Sequence, residues 1–220
     1  MPAEPGRNNK PADGLTPVIL WLALLWAIEL ADHLLTWALV PKAGLGADGL
    51  LDNLAGLHPW DHSLPFWPQI PHALLGMVCA PLLHGGWGHL IANSLAIALL
   101  GIISFRYSHR LTGVAILYST VLSAALTWVI APATMADGTP IVHIGASGVI
   151  FGLVGFLLGN GIFRRGCLPL FISGVVLLLY GGSLGGMLPH MVDDHISWQM
   201  HLGGFIGGLA ASWHLRHERQ

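Results

Sequence analysis

Ser147 stands in the tetrapeptide Gly145-Ala146-Ser147-Gly148, inside an apolar run from Ile141 to Phe163. A serine hydroxyl becomes a useful nucleophile when a base sits within about 2.6–3.2 Å to take its proton. His201, in the apolar stretch Trp198 to Leu215, is the candidate base. A third polar group comes from the run His84-Gly85-Gly86-Trp87-Gly88-His89-Leu90-Ile91-Ala92-Asn93. On a helix His89 and Asn93, four apart, share one face, and both side chains can donate hydrogen bonds. His84 lies five residues before His89, across two glycines. A nucleophile, a base and spare donors are what acyl transfer through an oxyanion requires.

Each of these residues has an ordinary reading when taken alone. A serine in a membrane helix usually bonds the carbonyl four residues back or fits a close helix contact. An asparagine or histidine there commonly ties two helices together. The glycines around them change the balance. Gly148, Gly152, Gly155 and Gly159 form a bare stripe after Ser147, and His201, Gly204 and Gly208 repeat the spacing, with Gly203 and Gly207 beside them. Two glycine-faced helices can approach closely, which lets a short serine side chain reach a histidine on a separate helix. Asp193 and Asp194 lie eight and seven residues upstream of His201, in a loop. No acid is placed to orient the imidazole, so a Ser147–His201 dyad is expected. The Ser147 backbone N–H, the Asn93 amide and either His89 or His84 are the candidate oxyanion donors.

The elements that must position these groups are membrane helices. Hydrophobic residues make up 54% of the 220-residue chain and charged residues 9%, against about 25% charged in ordinary soluble domains. Mean hydropathy is +0.66. A spanning helix needs roughly 20 mostly apolar residues, and six stretches qualify: Pro17–Val40, Gly86–Phe105, Leu111–Ile130, Ile141–Phe163, Leu168–Leu184 and Trp198–Leu215. The predicted fold is an all-α, six-helix membrane bundle over 17–215. A short polar tail covers 1–16, a long first outer loop about 41–85, and a tail 216–220. The first apolar stretch exceeds the roughly 7–15 residues of a signal-peptide core, so it is expected to stay attached. Within the outer loop, Ala73–Leu83 is apolar but too short to span, as interfacial or re-entrant pieces are.

With six spans, Arg7, Lys10, Arg106, Arg110, Arg164, Arg165, Arg216 and Arg219 fall on one side and Lys42 on the other. Asp48, Asp52, Asp61, Asp137, Asp193 and Asp194 share the side of Lys42. The positive-inside rule then places both termini in the cytoplasm. A net charge of −2 gives no general attraction for nucleic acid, and the two cysteines, Cys79 and Cys167, form no metal-thiolate motif. Glu29, Asp32 and His33 share a face of the first helix. They are expected to pair with the outer loop or another helix.

GASG in the fourth of six helices, HGGWGHLIAN at the second and HLGGFIGG in the sixth resemble the rhomboid intramembrane serine proteases over roughly Leu83 to Ser212. Three motifs on their proper helices are specific where one would be weak. The resemblance implies Ser147 as nucleophile and His201 as base. It implies His84, His89, Asn93 and Gly145 in or beside the oxyanion site, and Phe151 packed on the His201 ring. It implies a water-filled cavity open to the outer side, no metal and no cofactor. The implied substrates are membrane-anchored proteins cut in or near their transmembrane helix, and the small six-helix form implies a bacterial inner membrane. A first outer loop without arginine departs from many bacterial relatives. The fifth helix with the glycine-rich loop Ser183–Ser197 is the expected gate. Two other readings are a catalytically silent relative that binds membrane clients, and a metal transporter suggested by 13 histidines with Glu29, Asp32 and His33. No HxxxH or HExxH lies in a span, and most histidines scatter over loops.

Overall fold

The computed structural model describes residues 13–39, 49–164, 166–193 and 196–218. Arg7, Lys10, Lys42, Asp48, Arg165, Asp194 and Arg219, which entered the sequence argument, lie outside the described residues. Eight α-helices are described: α1 (Leu15–Leu39), α2 (Leu50–Ala55), α3 (Phe66–Cys79), α4 (Trp87–Tyr107), α5 (His109–Ile130), α6 (Ser147–Phe163), α7 (Cys167–Tyr180) and α8 (Trp198–His214). Two 3₁₀ segments, Ala80–Leu82 and Gly181–Met187, continue α3 and α7.

Four segments are long and apolar enough to cross a bilayer: α1, α4, α5 and Cys167–Met187. Helix α6 is apolar but has 17 residues, and α8 also has 17. The sequence placed the start of the fourth span at Ile141, and the structure moves the helix start to Ser147. The cause is local. Gly145 takes φ +117°, a left-handed conformation that breaks a helix. Ahead of it, His143 exchanges two backbone hydrogen bonds with Leu57, at 3.0 and 2.9 Å. The predicted fifth span, Leu168–Leu184, likewise gives up α geometry after Tyr180 and passes into the 3₁₀ turn. The first outer loop holds two helices, α2 and α3, the second of which begins seven residues before the apolar piece Ala73–Leu83.

Helix α6 is the core of the bundle. Most of its residues are buried, and it packs on α4, α5, α7 and α8. Helix α8 shows why it carries two pairs of glycines. A Cβ on Gly204 or Gly208 would fall onto the Gly148 or Gly152 carbonyl oxygen of α6. A Cβ on Gly203 or Gly207 would come within 2.5–2.6 Å of the α5 backbone at Leu122, Tyr118 and Ser119. One glycine pair therefore admits α6 and the other admits α5. The Ser123 hydroxyl of α5 donates to the Met200 carbonyl at 2.8 Å, joining α5 to α8 near the site. Helix α7 packs on α6 and leaves Leu178 84% exposed, an apolar face suited to lipid.

Charge is sorted along the bundle. Arg164, at the end of α6, is buried and donates to the Asn160 side chain and to the Leu215 and Glu218 carbonyls. Arg110 at the start of α5 pairs with Glu218 at 2.6 Å. Arg106 and Arg216 belong to the same end, where α4 and α8 finish. Ser147, His89 and His201 stand near the opposite helix ends.

The joint between Leu57 and His143 titrates. Burial, and then the nearby His58, push His143 down to about 4 from its usual 6.5. The unfolded chain therefore binds a proton near pH 6.5 that the folded chain refuses until about pH 4. Stability should fall as pH drops through that window, by up to about 3 kcal/mol for this one group. Thermal unfolding in detergent as pH is lowered would measure the slope. The His143→Gln variant should show a shallower one.

Candidate functional site

Ser147 is the first residue of α6, so its N–H and those of Gly148 and Val149 have no partner within the helix. Their dipoles point at whatever lies beyond the helix start. Three constraints fix this start: the left-handed Gly145, a hydrogen bond from the Gly145 N–H to the Ala80 carbonyl at 2.8 Å, and the Leu57–His143 pair. His201 enters from the first turn of α8, whose start is capped by the Ser197 hydroxyl accepting from the Met200 N–H at 3.3 Å.

The two side chains meet. His201 Nε2 is 2.9 Å from Ser147 Oγ. The other ring nitrogen, Nδ1, is 2.9 Å from the Gly186 carbonyl oxygen. A carbonyl can only accept, so Nδ1 carries the proton of the neutral ring. Nε2 is then the acceptor for the serine hydroxyl. The phenyl ring of Phe151 stacks on the imidazole, with centroids 4.2 Å apart and planes 14° from parallel. A Cβ on Gly186 would stand 3.1 Å from the Phe151 ring and 3.3 Å from His201 Nδ1. The 3₁₀ turn Gly181–Met187 thus covers the pair closely, and His201 is buried beneath it.

On the other side of Ser147 lie the donors of α4. A Cβ on Gly145 would be 2.8 Å from His89 Nε2 and 3.6 Å from Asn93 Nδ2. Only glycine leaves room there, both for its φ and for the His89 ring. The Asn93 amide nitrogen is buried without a hydrogen-bond partner. A buried orphan donor is costly, and donors kept in reserve are what a developing oxyanion needs. His84 is buried and meets His89 ring to ring at 5.2 Å. Burial, and then His89, push it down to about 4. His89 is the nearer of the two to Gly145.

The structure thus gathers Ser147, His201, Phe151, Gly145, His89 and Asn93, with His84 behind His89 and Gly148, Gly152, Gly204 and Gly208 at the α6–α8 contact. The Gly186 carbonyl and the Ala80 carbonyl were not foreseen, since no side chain announces a backbone acceptor. The ring nitrogens of His201 are partnered by Gly186 and Ser147, not by Asp193 eight residues upstream, and Asp194 lies outside the described residues. Among the described residues no group of three or more His, Cys, Asp or Glu is placed to hold a metal ion.

The fold and site define a multi-pass integral membrane protein, all-helical, with the polar groups of the candidate site gathered near the starts of α4, α6 and α8. The family model described as "Rhomboid domain" matches residues 71–218. The chain belongs to the rhomboid family. It is 39% identical over 213 residues to an uncharacterized protein of Mycobacterium leprae, covering 96% of this chain and 74% of that one. It is 34% identical over 203 residues to an uncharacterized protein of Mycobacterium tuberculosis, covering 91% and 74%. A Bacillus subtilis protein named "Putative rhomboid protease YdcA" is 29% identical over 140 residues, covering 60% and 62%. No solved structure matches the chain.

Proposed function

We propose that the protein is an intramembrane serine endopeptidase. In this reading α1, α4, α5, α6, α7 and α8 are its six spans, α6 and α8 being the short ones. The substrates are membrane-anchored proteins, cut in or near their transmembrane helix. The site lies toward the outer face of a bacterial inner membrane and both termini lie in the cytoplasm, as the arginines at the opposite end of the bundle favour. The observation that carries the proposal is the 2.9 Å contact between Ser147 Oγ and His201 Nε2, with Nδ1 held by the Gly186 carbonyl.

Ser147 Oγ attacks the scissile carbonyl carbon while His201 Nε2 takes the hydroxyl proton. The carbonyl oxygen becomes an oxyanion, held by the Ser147 N–H, the Asn93 amide and a histidine of α4. The imidazolium returns its proton to the leaving amine nitrogen and the C–N bond breaks. Water then attacks the acyl-enzyme, with His201 again as base. The Gly181–Met187 turn must move before a peptide can reach the serine, in keeping with α7 and the loop after it as the gate.

The test is labelling of the protein in detergent with a fluorophosphonate probe. Labelling of wild type that is lost in Ser147→Ala supports the reading. A folded protein that resists the probe and cleaves no membrane-anchored peptide would move it to the client-binding alternative. Asn93→Ala is expected to lower kcat by about 10²–10³-fold, the usual effect of removing one oxyanion donor. KM should be little changed, since that bond strengthens only as charge develops.

A further inference from the structure

The buried carboxylate of Asp32, on α1, has no part in the chemistry described above. It is 4% exposed. Its Oδ1 accepts the Leu51 N–H at 2.6 Å and the Thr36 hydroxyl at 3.4 Å. Thr36 Oγ1 in turn accepts the Leu50 N–H at 2.7 Å. These are first-turn donors of α2, which has no side-chain cap of its own from Gly49. A Cβ on Gly49 would lie 2.8 Å from Asp32 Oδ1 and closer still to the rest of the carboxylate. The acid is packed directly against the helix start it satisfies.

Helix α2 has a short route to Ser147. It is capped by Gly56, whose N–H bonds back to the Asp52 carbonyl at 3.0 Å. The next residue, Leu57, is fully buried. It is clamped on two sides. A Cβ on Gly76 of α3 would stand 2.6 Å from the Leu57 Cα, and Leu57 exchanges both backbone hydrogen bonds with His143. Two residues beyond His143 comes the left-handed Gly145, tied to Ala80, and two beyond that is Ser147. Every link is a backbone hydrogen bond or a close backbone approach, so little freedom is left to absorb a displacement of α2.

We propose that Asp32 is a positioning residue for Ser147, acting through α2 and the Leu57–His143 pair. The proposal rests on the protease reading for its catalytic readout, while its structural readout does not. Displacing the Ser147 Oγ by a fraction of an ångström would lengthen its contact with His201. Near-attack geometry is sensitive to shifts of that size. The charge of Asp32 is not what matters here; the acceptor oxygen is. Asparagine at this position keeps an oxygen for the Leu51 N–H, and alanine does not.

The experiment compares wild type with Asp32→Asn, Asp32→Ala and Thr36→Val. It follows the rate of fluorophosphonate labelling, kcat and KM on a membrane-anchored peptide, and amide hydrogen exchange at Leu51, Leu57 and His143. Asp32→Ala should lower kcat and the labelling rate by about tenfold or more, with KM little changed, as loss of nucleophile alignment does. Exchange at Leu51, Leu57 and His143 should rise together. Asp32→Asn should restore both readouts to within about threefold of wild type, since the acceptor is kept. Thr36→Val, which removes the Leu50 acceptor and the long hydroxyl bond to Asp32 but leaves the Leu51 acceptor in place, should change both in the same direction by less, and it carries the test should Asp32→Ala fail to fold. Full activity in Asp32→Ala, or slowed chemistry with Leu57 and His143 protected as in wild type, would overturn the proposal. If wild type itself does not label or cleave, the protease reading fails. The exchange data then decide alone whether Asp32 governs the segment ahead of Ser147.

Discussion

Ser147→Ala should lower cleavage of a membrane-anchored substrate by about 10⁴–10⁶-fold and abolish fluorophosphonate labelling, as nucleophile removal does in serine hydrolases. His201→Ala should do nearly the same. The reason lies in the geometry of the pair. Ser147 Oγ has its proton acceptor at 2.9 Å, and that acceptor's other nitrogen is occupied by a carbonyl. Without the ring, the hydroxyl must lose its proton to water, and the leaving amine has no donor. Because the two residues act as a unit, the double variant should be no slower than the slower single variant. Additive losses would mean that the two do not share a step. Labelling that survives Ser147→Ala would place the nucleophile elsewhere. Both variants leave the glycine faces of α6 and α8 in place, so circular dichroism should match wild type, while thermal unfolding should fall modestly for His201→Ala, which removes a buried ring stacked on Phe151.

Gly204→Ala is expected to have the largest effect on folding. The added carbon would land on the Gly148 carbonyl oxygen, a backbone atom of α6 that cannot rotate away. Overpacking usually costs about 1–3 kcal/mol where flexible side chains can yield. Here α6 and α8 must separate, and a loss above about 3 kcal/mol follows. The separation would also pull His201 from Ser147, so activity should fall in whatever fraction remains folded. Gly174→Ala on α7 is the control. A Cβ there meets nothing within 4 Å, and alanine favours a helix by up to about 1 kcal/mol over glycine. Unfolding temperatures in detergent would measure both. Equal behaviour of the two variants would show that the glycine face of α8 is not the contact that holds the bundle.

Much of this arrangement could be read from the residues. Long apolar stretches placed α1, α4, α5 and α7 to within a few residues, because the hydropathy of a helix that faces lipid is a bulk property. The glycine spacing foretold that α6 and α8 would touch, and hence that Ser147 and His201 could meet. The first residue of α6 was not legible. Ile141 to Ala146 is as apolar as the helix it precedes, and the tertiary pairing of His143 with Leu57, with the left-handed Gly145, keeps it out of that helix. Helix α2 escaped notice and α3 was read only in its second half, within Ala73–Leu83, because prolines and polar residues interrupt their pattern. That Asp32 would pair with the outer loop or with another helix was expected from the cost of a buried charge. Its particular partners, the N–H groups of Leu51 and, through Thr36, of Leu50, are backbone groups that every residue carries.

The Gly186 carbonyl has a pharmacological consequence. It holds the proton-bearing nitrogen of His201, yet it belongs to the turn that covers the site. A molecule wedged under Gly181–Met187 would carry that oxygen away from the imidazole, leaving the ring free to flip or to exchange tautomers. Such a compound would silence the serine without bonding to it, and it would need no electrophilic warhead. In the protease reading it would be a reversible, non-covalent inhibitor that lies over the Ser147–His201 pair and blocks labelling of Ser147.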